Sequence, residues 1–138
     1  MRFMVFVRAD QQSESGALPR EEDFAAMSKF NEELVNAGVM LTGEGLQRSA
    51  EAARIAWKDG RAEVMEGPFP ASELVCGFWM IQVKSRDEAL DWMRLAPFPD
   101  GAVLELRRVL EAEDFGEAFT PELREAEERM RARLDGQT

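Results

Sequence analysis

The sequence contains no histidine and no tyrosine. Without imidazole there is no His-based metal site, no proximal haem ligand, no Ser-His-Asp hydrolysis and no acid–base step at a ring nitrogen. Chemistry in this chain must come from carboxylates, Lys and Arg, Ser and Thr, a cysteine or the backbone. There is one cysteine, Cys76, within Leu74-Val75-Cys76-Gly77-Phe78. A single Cys cannot form an internal disulfide, whereas small secreted domains usually carry several. With no His to act as its base, Cys76 reads as a buried structural thiol.

Long apolar runs are also missing. Nothing approaches the roughly 18 residues of a membrane span. The apolar opening from Met1 to Val7 ends at Arg8-Ala9-Asp10, with no small-residue cleavage site, and is too short for a signal peptide. A cytoplasmic protein with no membrane partner is the expectation. Basic clusters are absent and the net charge is −10, which disfavours nucleic acid. Nine of the 27 acidic and four of the 17 basic residues fall in 111–138, so half of the excess sits in the last fifth of the chain.

What is present suits one globular domain. The chain has 138 residues, 45% of them hydrophobic, with nine Phe and three Trp to fill a core. Residues 1–7 read as a strand apolar on both faces, and 10–16 as a polar loop. A helix follows Pro19, with Glu21, Glu22 and Asp23 in its first turn and Gly38 at its end. Phe24, Met27, Phe30 (or Asn31), Leu34 and Ala37 form its predicted core stripe. Residues 39–46 read as a strand broken at Gly43-Glu44-Gly45. Residues 52–58 and 61–66 form a hairpin about Asp59-Gly60.

Gly67-Pro68 then breaks the ladder. Residues 78–83 are another strand, and Trp79 and Phe78 must face opposite sides of it. Ser85 and Glu88 have capping-box spacing ahead of a helix, and 102–110 is the last core strand. Residues 111–119 are acidic and irregular. Thr120-Pro121 opens a C-terminal helix over about 120–134, with Glu125/Arg129 and Glu127/Arg131 pairs and a narrow stripe of Leu123, Ala126 (or Glu127), Met130 and Leu134. The chain therefore divides into a domain over 1–110 and an acidic extension over 111–138. The fold class is α+β, a ferredoxin-like βαββαβ with an inserted β-hairpin. Helices on one face leave the other to be covered, and the apolar content of both strand faces points to a second copy.

In this order Met1-Arg2-Phe3-Met4, Ala37-Gly38-Val39, Gly43-Glu44-Gly45-Leu46, Glu66-Gly67-Pro68-Phe69, Gly77-Phe78-Trp79-Met80-Ile81 and Asp87-Glu88-Ala89-Leu90 resemble the YCII-related, DGPF-domain family. The resemblance covers roughly residues 1–110. It implies a ferredoxin-like subunit that dimerises through its sheet into an α/β barrel. It also implies a bacterial family, mostly uncharacterised, in which some members are linked to extracytoplasmic-function sigma factors. A few relatives are held to be enzymes, including a dehydrochlorinase, that use a His–Asp pair. In this chain the motif's Asp is Glu66, the usual Lys between Phe69 and Gly77 is lost with a one-residue deletion, and the His has no counterpart.

Candidate site residues follow from both readings. The Gly67-Pro68 corner can turn Glu66 toward a cleft, where an apolar setting would make it a proton acceptor. Glu44, between two glycines, lies on a bulge or beside a ligand, and with Glu66 could form a two-carboxylate site. Pro68, Phe69, Ser72, Glu73 and Phe78 complete the candidate ligand-binding set. No metal and no cofactor is expected. The leading expectation is a homodimer that binds a small molecule without catalysis. The alternatives are a lyase or isomerase with Glu66 as base, and an interaction module, with a link to sigma-factor regulation.

Overall fold

The computed structural model describes residues 1–136. The chain forms two compact units, Met1–Arg108 and the segment from Val109 on. The first contains β1 (Arg2–Arg8), a short α1 (Gln11–Glu14), α2 (Glu21–Asn36), β2 (Met40–Gly45), β3 (Ala53–Lys58), β4 (Arg61–Glu66), β5 (Val75–Gln82), α3 (Arg86–Met93) and β6 (Leu104–Arg108). Four strands form an antiparallel sheet in the order β2-β5-β1-β6. With α2 after β1 and α3 after β5, this is the expected ferredoxin-like plan. The hairpin β3–β4 is a separate two-stranded sheet inserted between β2 and β5.

Strand alternation decides where the core sits. In β1, Phe3 and Val5 are buried, while Met4 and Phe6 are half-buried on the other face. The register places Phe3 opposite Ile81 and Val5 opposite Trp79, so both strands send the same parity toward the helices. Phe30 and Leu34 from α2 and Ala89 and Met93 from α3 close this core. Trp79 is its centre. Its ring meets Phe30 and Phe98 edge-on at 5.8 and 6.2 Å, and its indole N–H donates to Asn31 Oδ1 at 2.9 Å. The aromatic body is thus buried without stranding its one donor.

Several local expectations are corrected. Only the later half of the α2 stripe reaches the core: Phe24 is 60% exposed, Met27 is half-buried, and Ala37 is the exposed C-cap residue. Residues 10–16 are not all loop, because Asp10 caps α1 by accepting the Ser13 N–H at 2.8 Å. The irregularity in β2 falls between Met40 and Thr42, not at Glu44. Ser85 accepts the Glu88 N–H at 3.1 Å, but Glu88 reaches back to the Lys84 N–H at 2.7 Å rather than to Ser85. The hairpin turns where expected, with Asp59 and Gly60 both at positive φ.

In the second unit, residues 112–115 form a 3-10 turn inside the stretch expected to be irregular. Then α4 (Pro121–Asp135) starts with Thr120 accepting the Leu123 N–H at 3.3 Å. Both expected i,i+4 pairs form, Glu125–Arg129 at 3.8 Å and Glu127–Arg131 at 3.0 Å. Leu123, Met130 and Leu134 are all exposed.

Candidate functional site

The corner after β4 is built around Ser49, the one buried polar residue among those described. Its hydroxyl accepts the Phe69 N–H at 2.9 Å and donates to Glu14 Oε2, while its own N–H donates to Glu14 Oε1 at 3.0 Å. The Gly67 N–H donates to the Ala52 carbonyl at 2.8 Å, and a Cβ on Gly67 would lie 1.8 Å from the Ser49 carbonyl oxygen. The Gly67–Pro68 peptide is cis. Arg54 stands over the Phe69 ring at 3.9 Å and pairs with Glu73 at 3.2 Å. The Ser72 carbonyl accepts from Arg8 Nη2 at 2.7 Å.

Around this corner the chain brings together Pro68, Phe69, Ser72 and Glu73. Glu66 ends β4, exposed and opposite Ala53. Glu44 is exposed in β2, and Phe78 is its register partner in β5. Phe78 belongs to the sheet face away from the helices. There Phe6 and Phe78 form one register pair and Met4 and Met80 the next, all four half-buried.

A concave feature of the first unit lies elsewhere. A cavity of about 420 Å³ opens where β1 ends and α2 begins. Val7 and Arg8 line it from β1, and Ala9, Asp10, Gln12, Ser13, Ala17 and Pro19 from the segment that follows. Asp23 and Met27 come from α2, Cys76 from β5, and Pro97–Pro99 with Gly101–Val103 from the loop before β6. None of the candidate site residues Glu44, Glu66, Pro68, Phe69, Ser72, Glu73 and Phe78 lines it. Sequence signals for it existed: the Asp10…Ser13 spacing of a capped turn, and two prolines flanking Phe98.

The electrostatics of this cavity are simple. Arg8 is its one basic lining residue, and the guanidinium is engaged by the Ser72 carbonyl and by Glu105 at 3.4 Å. Asp10 is tied to the start of α1, and Asp23 accepts the Arg20 N–H at 3.2 Å. Cys76, expected to be buried, is half-buried here. Its thiol pKa lies above the ordinary value, chiefly because burial penalises the thiolate; a hydrogen bond from Ser13 opposes this, and the Asp10 and Glu14 carboxylates add to it. A thiol held protonated is a polar contact rather than a ready nucleophile.

The family model of the YCII-related domain matches residues 1–113. The chain belongs to the YCII-related family. An uncharacterized protein of this kind, R00369 of Rhizobium meliloti (strain 1021), is 34% identical over 89 residues, which span 62% of this chain and 72% of that protein. Among solved structures, the 5-chloro-2-hydroxyhydroquinone dehydrochlorinase of Burkholderia phenoliruptrix AC1100, in complex with 2,5-dihydroxybenzoquinone, is similar at a TM-score of 0.40 and 14% identity. That similarity covers 82% of this chain and 98% of that one. No helix among the described residues is long and apolar enough to cross a membrane.

Proposed function

We propose that this YCII-related protein is a homodimer whose protomers each bind a small, largely apolar molecule in the cavity beside Cys76. The cavity itself supports the reading. Its roughly 420 Å³ falls within the range of small-molecule sites, and its wall mixes Val7, Met27, Phe98 and Val103 with a few polar groups at fixed positions. Two carboxylates against one guanidinium on that wall favour a neutral or cationic ligand, although Asp23 also pairs with Arg20 at 3.8 Å. A carboxylate or phosphate entering it would face Asp10 and Asp23, while Arg8 is already engaged.

The half-exposed strip of Met4, Phe6, Phe78 and Met80 supports the dimer, since a second sheet laid on the first would remove it from water. A free thiol fits a reducing cytoplasm.

The test is a thermal-shift and calorimetric screen of matched aromatic compounds that are neutral, cationic or anionic, with sedimentation equilibrium of the same sample. Expected are saturable binding of neutral or cationic members, its loss in Met27→Trp, which fills the cavity, and a mass twice 15.6 kDa. Binding that survives Met27→Trp, or a purely monomeric protein at tens of micromolar, would overturn the corresponding half of the proposal.

A further inference from the structure

One wall of the cavity is unlike the others. Residues 10–19 supply Asp10, Gln12, Ser13, Ala17 and Pro19 to the lining, yet α1 buries no residue. No apolar anchor in α1 holds it down, so its position depends on polar contacts, the kind of segment that opens locally. Asp10 and Ser13 cap each other, which keeps α1 intact without tying it to the domain.

The outward ties are few. Glu14, the last residue of α1, takes both the N–H and the hydroxyl of Ser49. Arg48 donates to the Ser15 carbonyl at 3.4 Å. Ser49 is held from its other side, because it is buried, accepts the Phe69 N–H at 2.9 Å, and has its carbonyl against Gly67. The Glu14–Ser49 contact therefore joins a loosely held segment to a fixed point.

We propose that residues 10–19 are a movable flap on the cavity, that Glu14 bound to Ser49 is its latch, and that the Gly67-Pro68-Phe69 corner is the post to which the latch closes. Glu14 is a positioning residue: it lines no part of the cavity, but it sets where Gln12 and Ser13 stand. The inference rests on the reading of the cavity as a ligand site, since the flap would gate entry there. It gives the corner a part in that site without placing the corner in it.

Cys76 is the only cysteine and lies on the cavity wall, so its modification reports flap opening with no ligand present. The full-length protein is treated with methyl methanethiosulfonate at a pH above the thiol's titration, so that the rate follows access and not ionisation. Amide hydrogen exchange is followed in parallel. In Glu14→Ala, labelling of Cys76 and exchange of residues 10–19 are expected to rise about tenfold or more, with β1 and β5 unchanged. Ser49→Ala should act likewise, and Glu14→Gln, which keeps one acceptor oxygen, should fall between.

Wild-type labelling rates in Glu14→Ala would overturn the proposal. So would faster exchange that spreads equally to β1 and β5, the mark of general destabilisation. Should Glu14→Ala fail to fold, the wild type alone decides: residues 10–19 must exchange at least about tenfold faster than β1, and equal protection would overturn the flap. Neither readout uses a ligand. A cavity that binds nothing would leave the flap standing, and a rigid segment would leave the ligand reading intact.

Discussion

The Ser49 carbonyl oxygen occupies the space that a side chain on Gly67 would need, 1.8 Å from an ideal Cβ. The two residues belong to segments 18 positions apart, and their closeness locks the hairpin's exit to the loop before its entry. Gly67→Ala must push backbone away from backbone, since no flexible side-chain end is there to yield. A loss on the order of 3 kcal/mol, or failure to fold, is expected, checked by denaturant unfolding. A variant within 0.5 kcal/mol of wild type would show that the corner can relax, and the post of the latch would go with it.

Trp79 gives a prediction of the opposite kind, about filling space rather than excluding it. It is 6% exposed, sits between Phe30 and Phe98, and spends its N–H on Asn31. Trp79→Ala should cost about 3–5 kcal/mol, and Asn31→Leu about 1–3 kcal/mol for the donor left unpaired. Phe24→Ala should be nearly silent in the protomer because the side chain is exposed. Urea midpoints of the three variants, ranked in that order, are the check.

That contrast shows what was legible in the sequence. The order of elements along the chain, the Asp59-Gly60 turn, the Thr120 cap and the Phe30–Leu34 half of the helical stripe could all be read, because local periodicity and turn chemistry act within a few residues. Phe24 could not be placed, because helical phase says which residues share a face but not how far the sheet beneath extends. The cavity was invisible for a related reason. Its walls come from five stretches of chain, and Cys76 reads as core until Asp10 and Ser13 are brought beside it. The corner was seen as the edge of a cleft; its engagement with Glu14, 35 positions before Ser49, depends on a long-range contact that no local pattern encodes.

Cys76 makes stability pH-dependent in a defined direction. Burial raises its pKa above 9.0 in the folded protein. As pH rises, the unfolded chain releases the thiol proton first, so the folded state binds more protons in that window. The contribution is fully present below the unfolded thiol's titration and is lost as pH climbs through the folded value. The wild type should therefore lose Tm more steeply than Cys76→Ala as pH rises above about 8.5, with parallel curves below that. A steeper alkaline loss in the variant would contradict the direction of the shift.

Glu66 separates two places where a ligand could sit. It is exposed at the end of β4 and does not line the cavity. Glu66→Gln should leave the affinity of any cavity ligand within about twofold of wild type, while Phe98→Ala weakens it about tenfold or more through lost apolar contact. Calorimetry with the best compound from the screen measures both. Loss of binding in Glu66→Gln with Phe98→Ala unaffected would move the site to the corner and restore that carboxylate as the candidate base.

The open sheet face makes the final prediction. Phe6 and Phe78 are register partners there, as are Met4 and Met80, and each is half-buried in the protomer. If a second copy covers this strip, a charge placed at its centre is buried twice in a symmetric dimer, once from each protomer, with no partner for either. Phe78→Glu should then weaken dimerisation by at least about a hundredfold, while Thr42→Glu, at the strand edge in the Met4–Met80 row, weakens it less. Sedimentation equilibrium should show the Phe78→Glu mass falling to 15.6 kDa, with circular dichroism unchanged. A Phe78→Glu protein that remains fully dimeric would mean that the two copies meet on another surface.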